Sequence, residues 1–110
     1  MDIKAFLSDW LEASNSYDIE RYMTKYRDDA VLDDPSVGKK FVGHTGIRAY
    51  FTSYFIGYKT QTQLETLTIT ENRAHMKVAF TGNFPGGHVR GMFDFTFKKG
   101  KIAKVKAALL

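Results

Sequence analysis

The stretch "VLDDPSVG", residues 31–38, closes an apolar run with two adjacent carboxylates and a proline. Aspartate before proline is typical of a turn, because its side chain accepts hydrogen bonds from the backbone two residues on and proline presets φ. A carboxylate at the mouth of an apolar core has a second use, as a general base. Side chains alternate along a strand, so Asp33 and Asp34 point to opposite faces and only one of them can enter the core.

Two amphipathic helices are predicted upstream of this stretch. The first carries apolar residues at the spacing of one helical face, at Ile3, Phe6, Leu7, Trp10 and Leu11. The segment "SNSYD" ends it, and Asp18 can cap a shorter second helix. That second helix repeats the spacing at Ile19, Tyr22, Met23 and Tyr26. The segment "AVLDDP" then predicts a short first strand.

A third helix and a set of strands are predicted downstream. The helix begins at Gly43 or Thr45, ends at Gly57, and has one apolar face made of Ile47, Tyr50, Phe51, Tyr54 and Phe55. Beyond Tyr58 the pattern alternates in "QLETLTIT", "AHMKVAF", "HVRGMFDFTF" and "IAKVKAALL", which predicts an antiparallel meander. Helices followed by strands indicate a single α+β domain over residues 1–110, with helices covering one face of a curved sheet.

Composition and charge exclude several classes of protein. The chain has 110 residues with 44% hydrophobic residues, no cysteine, and no apolar run long enough to span a membrane, so we expect a cytoplasmic domain with no membrane contact. The dispersed His44, His75 and His88 predict no metal site, and no motif indicates a cofactor. The net charge of +4 comes from lysines near the last strand, where they protect a sheet edge, so we expect no nucleic-acid partner.

The order of these elements resembles the nuclear transport factor 2-like superfamily, and above all its SnoaL-like and ketosteroid isomerase-like members. The resemblance rests on "YRDDAVLDDPSVG" (26–38), "FVGHTGIRAYFTSYF" (41–55) and the following meander, and it covers essentially the whole chain. It implies a cone-shaped, cystatin-like α+β fold, with a curved antiparallel sheet covered by three N-terminal helices. The superfamily includes isomerases, cyclases, dehydratases and non-catalytic binding modules, so the fold alone names no reaction.

Carried over residue by residue, the isomerase pattern places Asp34 on the general base. The tyrosine that binds the oxyanion would fall at Trp10, whose indole N–H can donate one hydrogen bond but cannot act as an acid. The second oxyanion donor would fall at Phe93, which offers no donor. Asp94 lies one position away and, by strand alternation, faces away from the cavity. The missing donors argue against steroid isomerisation itself.

We expect an apolar cavity lined by Trp10, Tyr50, Tyr54 and Phe93, and two function classes follow from the resemblance. The first is a cofactor-independent isomerase, cyclase or dehydratase that uses Asp34 as base on a hydrophobic carbonyl compound, since burial disfavours a charged carboxylate. The second is a non-catalytic module that binds an apolar ligand or dimerises. A role of both aspartates in the turn alone stays open.

The resemblance also implies a homodimer formed through the open face of the sheet. The predicted strands place small and mixed polar residues on that face: His75, Lys77, Ala79 and Thr81 beside Arg90, Met92, Asp94 and Thr96. Such a composition suits a wet, two-fold interface.

Overall fold

Helices cover one face of a curved six-stranded sheet in the computed structural model, which describes residues 1–110. The α+β class predicted from the sequence is confirmed. The helices are α1 (Ile3–Asn15), α2 (Ile19–Met23) and α3 (Gly43–Phe51). The strands are β1 (Tyr26–Asp34), β2 (Lys39–Val42), β3 (Gln61–Thr70), β4 (Arg73–Thr81), β5 (His88–Lys98) and β6 (Lys101–Leu109). A 3₁₀ turn, Pro35–Val37, joins β1 to β2, and a π-helical segment, Thr52–Ile56, extends α3.

The sheet has the strand order β2-β1-β6-β5-β4-β3. All neighbouring strands are antiparallel, as expected, except β1 and β6, which run parallel. The parallel pair results from the meander. Three reversals of chain direction between β3 and β6 bring β6 alongside β1, running in the same direction as β1. The helical connection after β2 makes such a parallel pair possible, because parallel strands need a long crossover.

Two segments differ from the sequence prediction. The second helix ends at Met23, and Tyr26 begins β1, where it pairs with Ile102. Strand β2 was not predicted, because "KKFV" is short and half of its residues are charged. It forms a hairpin with β1, in which Lys39 pairs with Asp34. None of the helices combines the length and hydropathy needed to cross a bilayer.

Trp10 lies at the centre of the core, with 1% of its surface exposed. The rings of Phe93 and Phe95 meet it edge-on, each at a centroid distance of 5.2 Å. Its indole N–H donates to the Tyr26 hydroxyl at 3.1 Å, and Tyr26 donates to the Tyr22 hydroxyl at 2.7 Å. Burial raises the pKa of Tyr26 to about 12, so this chain of donors stays neutral in ordinary buffers.

An ion-pair cluster on the surface ties α1 to α2. Arg21 and Lys25 both contact the Asp9 carboxylate, and the Lys25 Nζ lies 2.5 Å from Asp9 Oδ2. The hydrogen bonds from Arg21 and then Lys25 lower the pKa of Asp9 from 3.8 to about 2. A carboxyl group with a lowered folded-state pKa stabilises the fold above its unfolded-state pKa.

The stabilisation from Asp9 is therefore expected to be complete above pH 4 and to disappear as the pH falls towards 2. Urea unfolding of the wild type and of Asp9→Asn should give midpoints that differ above pH 4 and converge near pH 2. Because Asp9 is more than one third exposed, the difference should be modest and should shrink in 1 M salt. A difference that grows on acidification would contradict this role.

Candidate functional site

Asp34 is the last residue of β1 and points into the interior. The strand alternates, so Ala30, Leu32 and Asp34 are buried, whereas Val31 and Asp33 lie half-buried on the other face. Only 6% of the Asp34 surface is exposed. Of the two aspartates in the quoted stretch, the structure turns Asp34 inward, as strand alternation and the following proline predict.

Both carboxylate oxygens of Asp34 are hydrogen-bonded. Oδ1 accepts from the Ser36 backbone N–H at 3.0 Å and from the Ser36 hydroxyl at 2.5 Å, which caps the 3₁₀ turn. Oδ2 accepts from the Tyr50 hydroxyl at 2.8 Å. A carboxylate offers about four acceptor positions, so one position on Oδ2 remains for a ligand. Asp34 thus holds the turn and also presents an acceptor to the interior.

An open cleft of about 460 Å³ lies beside Asp34. Its wall includes Tyr50, Tyr54 and Phe93, three of the four residues expected to line a cavity, together with mostly apolar side chains from β4, β5 and β6. Trp10, the fourth, is not in the wall, which corrects the prediction. It lies behind Phe93, and its N–H is used by Tyr26 instead of facing the cleft.

Three tyrosines at intervals of four residues, Tyr50, Tyr54 and Tyr58, line the side of the cleft formed by α3, the π-helical segment and the turn after it. The ring centroids of Tyr50 and Tyr54 are 5.4 Å apart, and those of Tyr54 and Tyr58 are 6.4 Å apart. Tyr58 also meets Phe84, from the loop between β4 and β5, edge-on at 6.1 Å. Tyr58 and Phe84 were not among the residues predicted to line the cleft. The four-residue spacing from Tyr54 was a usable signal for Tyr58, whereas nothing in "NFPGG" indicated where Phe84 would pack.

The model of the SnoaL-like domain matches residues 7–105, nearly the whole chain. This chain belongs to the SnoaL-like domain family. The matched residues contain Asp34, helices α2 and α3, strands β1 to β5, and most of α1 and β6. No curated protein sequence matches this chain significantly.

Solved structures of the same fold superimpose closely on this SnoaL-like domain. A candidate polyketide cyclase from Sinorhizobium meliloti is 21% identical, with a TM-score of 0.86 over 94% of this chain and 93% of that one. A candidate ketosteroid isomerase from Kribbella flavida is 15% identical, with a TM-score of 0.84 over 96% and 76%. TerC, co-crystallised with polyporic acid, is 13% identical, with a TM-score of 0.84 over 96% and 89%. At these identities the likeness shows the nuclear transport factor 2-like fold alone.

Tyr50 of the SnoaL-like domain is a neutral hydrogen-bond donor. Burial first, and then the negative charge of Asp34 and the hydrogen bond to it, raise the pKa of Tyr50 well above its ordinary value of 10. The phenol therefore cannot serve as a base, and its contact with Asp34 orients the carboxylate.

In the Asp34→Asn variant the pKa of Tyr50 is expected to fall, because the charge and the charge-assisted hydrogen bond are removed. It should stay above 10, because burial is the largest cause and remains. Ultraviolet titration of Asp34→Asn against Asp34→Asn/Tyr50→Phe isolates this one phenol among the six tyrosines. A Tyr50 transition at the same pH with and without the Asp34 charge would show that the pair does not interact.

The face of the sheet away from the helices carries a row of polar residues, in which lysine and aspartate alternate from Lys40 to Asp94. The Asp94 Oδ1 lies 2.5 Å from the His75 Nδ1 on this face, so Asp94 does not reach the cleft. Strand pairing continues the row from β2 to β3 in the order Lys40, Asp33, Lys106, Asp94, His75 and Thr68. Neighbouring opposite charges on one face stabilise the sheet, and they also give the surface a repeating pattern of sign.

Proposed function

We propose that this chain is a cofactor-independent proton-transfer enzyme, of isomerase, cyclase or dehydratase type, that acts on a hydrophobic carbonyl compound. The observation that carries the proposal is the buried Asp34 carboxylate, which keeps one acceptor position free in the wall of an apolar cleft. Structural relatives described as a candidate polyketide cyclase and a candidate ketosteroid isomerase, and TerC with polyporic acid, support a hydrophobic, oxygen-bearing ligand.

The proposed chemistry uses Asp34 as the base. A substrate placed in the cleft presents an acidic C–H, on a carbon beside its carbonyl, to the free position of Oδ2. The C–H bond breaks, an O–H bond forms on Asp34, and the electron pair moves to the carbonyl oxygen. Hydrogen bonds from Ser36 and Tyr50 hold the carboxylate in one orientation, which favours transfer from a single direction. The protonated acid can then return the proton to another carbon.

Deuterium exchange tests this function without knowledge of the natural product. The probe is 2-tetralone, a hydrophobic ketone with acidic hydrogens, dissolved in D₂O and followed by proton NMR. The wild-type protein is expected to accelerate loss of the C–H signal in a saturable way, far beyond acetate at the same concentration. Exchange no faster than with acetate would contradict a base in the cleft.

A non-catalytic binding module is the second candidate function. The observation in its favour is that three of the four acceptor positions of Asp34 are already occupied by Ser36 and Tyr50. A module of this kind would show NMR shift changes of cleft residues on adding 2-tetralone, with no exchange beyond that of acetate. The same samples therefore distinguish the two functions.

We also propose that the chain forms a homodimer through the open face of the sheet. The midpoint of the six-stranded sheet lies between β6 and β5. A two-fold axis that runs parallel to the strands above this midpoint would place β6 opposite the partner's β5. The charge row then matches itself: Lys106 meets the partner's Asp94, and Asp33 meets the partner's His75. A two-fold axis perpendicular to the strands and passing through this row would instead place Lys106 opposite the partner's Lys106.

A charge swap tests the dimer and its arrangement together. Sedimentation at micromolar concentration should show a dimer for the wild type, weaker association for Lys106→Glu and for Asp94→Lys, and recovery in the double variant. Reversing Glu71, in the turn between β3 and β4, provides a control for charge alone. A monomeric wild type would refute the dimer, and a double variant weaker than both single variants would refute this arrangement.

A further inference from the structure

The cleft wall contains two tyrosines whose hydroxyls no group of the chain engages. Its polar side chains come from six residues: Asp34, Ser36, Tyr50, Tyr54, Tyr58 and Thr60. Ser36 and Tyr50 donate to Asp34, and the Thr60 hydroxyl donates to the backbone carbonyl of Tyr54 at 2.8 Å. The hydroxyls of Tyr54 and Tyr58 have no hydrogen-bond partner within the chain. Among the polar residues of the wall, these two tyrosines therefore keep a hydroxyl that is free to donate to a ligand.

Tyr54 is the better placed of the two. It neighbours Tyr50, whose hydroxyl touches Asp34, whereas Tyr58 lies one step further along and is 38% exposed. The Phe41 ring packs edge-on against Tyr54 at 6.4 Å. The backbone at Tyr54 is also fixed by Thr60. The Thr60 hydroxyl donates to the Tyr54 carbonyl, and the Thr60 N–H donates to the Phe55 carbonyl. The bond between the Thr60 N–H and the Phe55 carbonyl has the five-residue spacing of a π-helix, and short π-helical segments are frequent at functional sites.

We propose that the Tyr54 hydroxyl binds the carbonyl oxygen of the substrate and stabilises the negative charge that develops there. The inference rests on the proposed function. It identifies a hydrogen-bond donor to the carbonyl oxygen, a role that neither Trp10 nor Phe93 fills. As Asp34 takes the proton from the neighbouring carbon, the electron pair reaches the carbonyl oxygen, and Tyr54 donates a hydrogen bond while keeping its own proton. The ligand class is a hydrophobic ketone, or a phenol that imitates its enolate.

A kinetic test compares Tyr54→Phe with Tyr17→Phe, which makes the same change on a half-buried tyrosine outside the cleft. Tyr54→Phe is expected to slow the saturated exchange of 2-tetralone about 100-fold, the usual effect of losing one oxyanion donor. Tyr17→Phe should leave it unchanged. Circular dichroism of each variant establishes that the fold is retained. An exchange rate in Tyr54→Phe within about threefold of wild type would overturn the proposal, as would a larger loss in Tyr58→Phe than in Tyr54→Phe.

A binding test needs no turnover. In the Asp34→Asn background, whose neutral side chain imitates the protonated base, 4-nitrophenol should bind as its yellow anion, because Tyr54 donates to the oxygen. Adding Tyr54→Phe should weaken binding of the anion at least tenfold, and adding Tyr17→Phe should not. If this dependence on Tyr54 is present but wild-type protein exchanges no 2-tetralone, the donor is supported and the enzymatic function fails. If exchange occurs and the anion binds independently of Tyr54, the function stands and the donor is refuted.

Discussion

Replacement of Trp10 by alanine is expected to lower the free energy of unfolding by about 3–5 kcal/mol. The indole is almost fully buried between α1 and the sheet, where it contacts Phe93, Phe95 and Tyr22. Its loss would leave a large cavity and would also remove the donor to the Tyr26 hydroxyl. Few single changes in this chain remove as much packing and a buried hydrogen bond together.

Urea unfolding followed by far-ultraviolet circular dichroism measures this effect, since the variant lacks the single tryptophan needed for fluorescence. Val42→Ala, at a position that is 66% exposed, should change the unfolding free energy by less than about 0.5 kcal/mol and serves as the control. A loss below about 1 kcal/mol in Trp10→Ala would mean that the indole does not occupy the centre of the core.

Replacement of Asp34 by asparagine is expected to reduce deuterium exchange of 2-tetralone by about 10²- to 10⁴-fold. Asparagine has nearly the same shape, and its carbonyl oxygen can still accept from Ser36, so the turn should persist. Its amide group cannot take up a proton from carbon, and the Tyr50 hydroxyl would have to rotate to accept from it. The variant should therefore fold but lose the base.

Asp33→Asn is the matched control for this loss. It removes the same charge from the adjacent residue, which lies on the opposite face of β1. Exchange should be unchanged in Asp33→Asn. Equal losses in the two variants would point to net charge or stability as the cause, and would contradict a specific role for Asp34.

Much of the fold could be predicted because it follows from local periodicity. The apolar spacing of α1 and α3 and the alternation of β3 to β6 each arise within one segment, so neighbouring residues contain the information. Strand β2 and the parallel contact of β1 with β6 depend instead on distant pairing. Lys39 and Lys40 have little strand propensity, and they join the sheet because the turn at Pro35–Val37 places them beside β1.

The candidate site could be predicted only where strand geometry decides it. The inward direction of Asp34 follows from alternation and from the proline after it. The contact of Asp34 with Tyr50, 16 residues away, depends on how α3 lies across the sheet. Trp10 was misplaced because an aromatic residue on a helical face looks the same in sequence whether it lines a cleft or fills the core behind one.

The central claim is that a hydrophobic ligand binds in the cleft against Asp34. Carbon NMR of protein labelled at the aspartate side-chain carboxyl carbons, titrated with 2-tetralone, tests it most directly. The account predicts that the Asp34 signal moves in a saturable way while the Asp33 signal stays in place. Saturable binding of 2-tetralone that moves the Asp33 signal, or that leaves Asp34 unmoved, would contradict it.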